Sequence, residues 1–91
     1  MRITERDLKN TIDRINKVTG KPMGQYSTDK DGKSKGNIGN YHLDCAYGGY
    51  ALHQMTNEHG GVRQLFSGHG TKRELYDKMH AYLGGLDDSN K

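Results

Sequence analysis

The sequence predicts an α+β fold of the order α-β-β-β(-β)-α: an antiparallel three- or four-stranded sheet with two helices packed on one face. Three observations predict it. Leu8, Ile12, Ile15 and Val18 recur at helical spacing near one end, and Leu75, Met79, Tyr82 and Leu83 do so near the other. Between them, Asn40 to Tyr47 alternates Tyr41, Leu43, Cys45 and Tyr47 against His42, Asp44 and Ala46, the pattern of a strand with one buried face. Gly48-Gly49 follows as a two-residue hairpin turn, so the next strand runs antiparallel.

Each element has a local cause. Thr4 is a good N-cap with Asp7 three residues on, and Ile3 and Leu8 have the spacing of a hydrophobic staple. Glu5–Lys9 and Asp13–Lys17 add i,i+4 pairs, and Gly20 followed by Pro22 stops the helix, which spans 5–19. Its outer face, with Arg6, Lys9, Asn10, Asp13, Arg14 and Lys17, reads as solvated. Gln25-Tyr26-Ser27 reads as a short edge strand. Residues 28–39 are polar and rich in Gly and Lys and read as a flexible loop. Its Asp29-Lys30-Asp31-Gly32 run lacks the later ligands of a calcium loop. Residues 50–57 form the return strand and 62–67 a third strand. Thr71 and Glu74 have capping-box spacing, so a second helix is expected over 72–83, ended by Gly84-Gly85 and followed by a frayed tail at 87–91. Leu43 and Leu52 are expected beneath the two apolar helix stripes.

With 91 residues, the chain reads as a single domain, 1–91. A hydrophobic fraction of 31% and a mean hydropathy of −1.04 allow one modest core. The net charge of +3 sits in the first third: residues 1–36 carry nine bases and five acids. That suits a polyanion partner without requiring one. Cys45 is the only cysteine, so no internal disulfide forms, and its apolar neighbours predict a buried, inert thiol. No apolar run approaches a membrane span, and the start of the chain is too polar for a signal peptide.

The stretch Ser67-Gly68-His69-Gly70-Thr71-Lys72-Arg73-Glu74 is the chemically suggestive one. A helix start offers backbone N–H groups and a positive dipole end, which attract anions. Lys72 and Arg73 sit in that first turn, where the dipole disfavours cations, and an anion held there offsets the cost. The expected phosphate-binding set is Gly68, His69, Gly70, Thr71, Lys72 and Arg73. Lys30, Lys33 and Lys35 add electrostatic attraction, and Tyr50 and Arg63 are expected to stack or to anchor an interface. Tyr41, Cys45 and Tyr47 are expected in the core. His42, Asp44 and His53 form a small polar cluster across the hairpin. No pair among the five histidines has a zinc-motif spacing, so no metal or other cofactor is expected. No acid/base or nucleophile constellation stands out, so the chain is not read as an enzyme.

Gly39-Asn40-Tyr41-His42-Leu43, Ala46-Tyr47-Gly48-Gly49-Tyr50, Gly60-Gly61-Val62 and Gly70-Thr71-Lys72-Arg73-Glu74-Leu75-Tyr76 resemble a family of small uncharacterised proteins of tailed bacteriophages. With the leading helix these runs span most of the chain. The resemblance implies phage origin and action in the host cytoplasm, and no particular activity. Gly68-His69-Gly70-Thr71-Lys72-Arg73 also resembles the basic junction before the last helix of double-stranded RNA-binding domains. Here the glycine-to-base spacing is one residue shorter and the alanine-rich helix face is missing. That likeness implies phosphate contacts from Lys72 and Arg73. The expected function is therefore a non-enzymatic phage accessory protein that binds RNA, DNA or a nucleotide. The alternative is a protein that inhibits or modulates a host factor, in host takeover or anti-defence. A second copy of the chain is also allowed as a partner; a membrane is not.

Overall fold

The computed structural model describes residues 2–89; the side chains of residues 67, 68 and 87–89 lie outside the description. The order is α1 (Glu5–Thr19), β1 (Tyr26–Thr28), β2 (Ser34–Gly36), β3 (Tyr41–Ala46), β4 (Gly49–Met55), β5 (Val62–Gly70) and α2 (Lys72–Ser89). Strands β3, β4 and β5 form an antiparallel sheet in that spatial order, and β1 and β2 form a separate two-stranded hairpin. The expected α+β fold is the observed one, with both helices packed on the sheet.

α1 begins and ends where its local signals dictate. The Thr4 side chain accepts from the Asp7 N–H while the Thr4 N–H donates to the Asp7 carboxylate, and Gly20 closes the helix in the left-handed conformation. Leu8, Ile12 and Ile15 meet Leu75, Met79 and Leu83 of α2 over Tyr41 and Leu52, all buried, with Leu43 half-buried beside them. Burying each such aliphatic side chain contributes about 1.5–3 kcal/mol. The Tyr41 and Tyr82 hydroxyls lie 2.8 Å apart and share a hydrogen bond under α2. Burial first, and that bond second, push the Tyr41 pKa up to about 12.

Asn16 makes the tightest tie between layers. Strand β3 is an edge, and the N–H and C=O of Tyr41 point away from β4. The fully buried Asn16 side chain takes both: its Nδ2 donates to the Tyr41 carbonyl at 3.0 Å and its Oδ1 accepts from the Tyr41 N–H at 2.8 Å. Two main-chain groups that a sheet edge would leave unpaired are thus satisfied from the helix.

Five expectations change. The segment 28–39 contains a strand: β2 pairs with β1, and the intervening turn is organised by Asp29, whose Oδ1 accepts from the N–H groups of Asp31 and Lys33. The hairpin is fastened to the main sheet by Gly36 N–H to the Glu58 carbonyl at 2.7 Å and Gly39 N–H to the Met55 carbonyl at 2.8 Å. The β3–β4 turn is centred on Tyr47-Gly48, not Gly48-Gly49. Ala46 pairs with Gly49, and Tyr47 and Gly48 both have positive φ, 54° and 71°, as a type I′ turn requires. Tyr47 is accordingly 96% exposed at the apex rather than in the core. Cys45 is likewise exposed, because that end of β3 runs out beyond the helix cover. Finally, α2 does not stop at Gly84-Gly85. Half-buried Leu86 continues the helical spacing of Leu75, Met79 and Leu83 beyond the pair, although each glycine costs about 1 kcal/mol within a helix. The expected tail at 87–91 falls partly outside the described residues, and its first three residues are helical.

Candidate functional site

Two groups of side chains stand out, and β5 connects them. The strand was expected to end at Ser67 in a glycine turn. It runs on to Gly70 through a bulge: Leu65 pairs with Leu52 and Gly70 with Tyr50, so β4 advances two residues while β5 advances five. Phe66 in this bulge has φ 65°, a left-handed value that is strained for a bulky side chain, and its ring packs edge-on to Tyr82 at 6.1 Å between centroids. Gly49 allows the bulge to lie close, since a Cβ there would stand 3.0 Å from the His69 Cβ. The expected run Gly68-His69-Gly70 is therefore extended chain rather than a sharp turn.

The first group is the start of α2. Thr71 and Glu74 form the expected capping box: the Glu74 N–H donates to Thr71 Oγ1 at 3.1 Å, and the Thr71 N–H donates to Glu74 Oε1 at 3.3 Å. Those bonds hold the Glu74 carboxyl below the ordinary carboxylate range. The cap uses the N–H groups of Thr71 and Glu74, and the first intrahelical bond uses that of Leu75. The Lys72 and Arg73 N–H groups are the pair that the cap does not use. Ile3, Gly48, Tyr50, Thr71, Lys72 and Arg73 line an open cleft of about 460 Å³ here. The Lys72 ammonium stands 5.5 Å from the Tyr50 ring centroid, and the Tyr50 hydroxyl reaches Glu5 at 3.3 Å. This cation–π contact offsets part of the dipole cost of placing Lys72 at a helix start. Arg73 pairs loosely with Asp77 at 3.4 Å and is exposed.

The other expected residues are dispersed. Lys30, Lys33 and Lys35 are exposed along the β1–β2 hairpin. Arg63 sits on β5, where its Nε donates to Gln54 Oε1 at 2.8 Å. His69 does not join Lys72; its Nε2 is 2.7 Å from Asp44 Oδ2.

That contact belongs to the second group, on the sheet face away from the helices. Alternation puts His42 and Asp44 of β3 and His53 of β4 on this face, as the sequence indicates, and His42 and His53 are direct cross-strand partners with ring centroids 5.8 Å apart. His69 arrives through the bulge. His53 Nε2 is 3.7 Å from the same Asp44 Oδ2, and the His53 and His69 side chains are only 15% and 13% exposed. The hydrogen bond from His69, first among several influences, holds the Asp44 carboxyl below its ordinary range. His42 lies behind His53 with its Nδ1 buried and without a well-formed hydrogen bond, and burial, then the neighbouring His53, lowers its pKa. Sequence reasoning found three members of this cluster and missed the fourth. Nothing in the local pattern around His69 signals a bulge three residues deep.

Cys45 follows Asp44 on β3 and faces the other side of the sheet, and its thiol is pushed up by partial burial of the sulfur and then by the carboxylates of Glu5 and Asp44, which disfavours a thiolate. Among the described residues no helix is long and apolar enough to cross a membrane. Comparison with protein-family models, curated proteins and solved structures gives no match to this chain.

Proposed function

We propose that this chain is a non-enzymatic bacteriophage accessory protein, acting in the host cytoplasm, that binds a phosphate-bearing ligand (RNA, DNA or a nucleotide) at the start of α2. The observation that carries this reading is the cleft in which Lys72 is held over Tyr50 beside Thr71 and Arg73. Two cations and two N–H groups outside the cap converge at a positive helix end, which is the chemistry of phosphate recognition. Tyr50 supplies an aromatic edge at the same cleft. The hairpin lysines Lys30, Lys33 and Lys35 add non-specific attraction for a polyanion.

The test is binding of labelled RNA, DNA and nucleotide across a salt titration, with wild type against the Lys72→Ala/Arg73→Ala double variant. The double variant is expected to keep its melting temperature, lose affinity, and flatten the salt dependence by up to about two phosphate contacts. Thr71→Ala is the control for helix stability and should cost about 1 kcal/mol through the lost cap. Affinity unchanged in the double variant removes the phosphate site.

A second reading, a protein that covers a surface of a host factor, is favoured by one observation. Tyr47 is 96% exposed at a turn apex, and Ile38 and Met23 are 61% and 55% exposed. Aromatic and large apolar groups held out in this way are typical interface anchors. Recovery of one host protein from lysate that survives nuclease treatment, and is lost with Tyr47→Ala, supports it over the first.

A further inference from the structure

We propose that Asp44, His53 and His69 form a binding site for a divalent transition-metal ion of the zinc class. The three side chains offer one carboxylate oxygen and two imidazole nitrogens, and these ligand atoms all lie within 4.8 Å of one another. A tetrahedral ion with ligands at about 2.0–2.1 Å needs its donors about 3.3 Å apart. The separations to Asp44 Oδ2, 2.7 Å from His69 Nε2 and 3.7 Å from His53 Nε2, bracket that value. The two imidazole donors lie within 4.8 Å of each other, so the histidines close in on the ion as it binds.

The hydrogen bonding of the cluster points the same way. Both imidazoles direct Nε2 toward the same carboxylate oxygen, and only His69 is close enough to bond it. A cation at the centre engages all three donors. It replaces the proton shared by His69 and Asp44, and its charge is partly neutralised by the carboxylate. Among the described residues the ion-pair partners of Asp44 are these two histidines, so no lysine or arginine competes for it. Two nitrogens and one oxygen select ions such as Zn²⁺, Co²⁺, Ni²⁺ or Fe²⁺ over Ca²⁺ and Mg²⁺, which need all-oxygen shells.

The support is also that of a built site. Asp44 and His53 stand on adjacent strands of one hairpin, and His69 is delivered by a bulge containing a strained Phe66 and admitted by Gly49. Strain of this kind persists only where the surroundings hold it in place. The histidines are mostly buried while Asp44 is 35% exposed, so one side stays open for a fourth ligand, a water or a group on a bound partner. Three protein ligands leave the fourth position of a tetrahedral ion open.

The test uses untagged full-length protein titrated with Zn²⁺ by calorimetry and with Co²⁺ by visible absorption. The expected result is one ion per chain, with the intense visible bands of four-coordinate Co²⁺. His53→Ala, His69→Ala and Asp44→Ala should each weaken binding by more than the roughly 10–100-fold that loss of an outer-shell partner causes. His59→Ala and His80→Ala should bind as wild type. If a ligand variant fails to fold, nitrogen-15 imidazole spectra of the wild type decide instead: Zn²⁺ should shift His53 and His69 Nε2 and leave His59 and His80 unmoved. Binding no tighter than millimolar, binding retained in the ligand variants, or equal shifts at all histidines overturns the proposal.

Discussion

The two faces of the β3–β4–β5 sheet differ in what they are made of and in what holds them. The covered face is Tyr41, Leu52 and half-buried Leu43 under an aliphatic layer from α1 and α2. The far face carries His42, Asp44, His53 and His69, joined by one short hydrogen bond and by edge-on ring contacts. The covered face holds the main hydrophobic cluster. The other gives much of its space to an acid and imidazoles, beside buried Ala51 and Met55. Both come from the same strands, residue by residue in alternation, so stability and chemistry are separable by single substitutions.

Neighbours on β4 give the sharpest contrast. Leu52→Ala should cost about 4 kcal/mol, the loss of a fully buried leucine plus the cavity it leaves, measured by urea denaturation. His53→Ala, one residue along on the opposite face, should cost about 1 kcal/mol. Equal losses would mean that the far face is a second core. Asn16→Ala should cost about 3 kcal/mol, since it strands the N–H and C=O of Tyr41 in a buried setting. Amide exchange at Tyr41 should rise with it. A loss below about 1 kcal/mol would show that water replaces the clamp.

The helix caps predict the acid behaviour of the covered layer. Asp7 is held below its ordinary value of 3.8 by hydrogen bonds from Thr4, backbone first and side chain second. Glu74 is held below 4.5 by the corresponding bonds from Thr71. Carboxyls depressed in the folded state contribute stability that is present above their unfolded values and lost as pH falls through the folded ones. The melting temperature should therefore decline below about pH 4.5. Asp7→Asn with Glu74→Gln should flatten that decline while leaving the neutral-pH spectrum of the helices intact. An unchanged acid limb would place the responsible groups elsewhere. The smallest effect is expected at Cys45, where the exposed side chain makes Cys45→Ser neutral to within about 0.5 kcal/mol. A larger loss would return that residue to the core.

The parts that were legible in the sequence are those with local causes. The bounds of α1 follow from Thr4, Asp7 and Gly20, and the start of α2 from Thr71 and Glu74. The alternation from Tyr41 to Asp44 separates the two faces correctly. It fails at Cys45 and Tyr47, because alternation tells which way a side chain points and not whether a helix reaches that far along the strand. The turn lies one residue earlier than the glycine pair indicates, because Tyr47, a poor candidate for positive φ, takes its first place. β2 was illegible: Ser34-Lys35-Gly36 has no strand composition, and its pairing comes from the Asp29 turn and the anchor to Glu58. The end of α2 is not legible from Gly84-Gly85, because glycine permits a stop without imposing one. Of the candidate site, the sequence indicated His42, Asp44 and His53 as a cluster. His69 depends on a bulge whose depth is set by tertiary packing of Phe66 and by close approach at Gly49.

The Asn16 clamp has a further consequence, one of parity. A strand has only two ways to face, and a slip of one residue exchanges them. In β3 such a slip would turn His42 and Asp44 toward Leu8 and Ile12 and push Tyr41 outward. An amide that accepts one particular N–H and donates to one particular C=O at fixed height on α1 matches the edge only at Tyr41. Asn16 thus works as an index pin: it counts the strand into place, and His42 and Asp44 on the far face owe their position to that count.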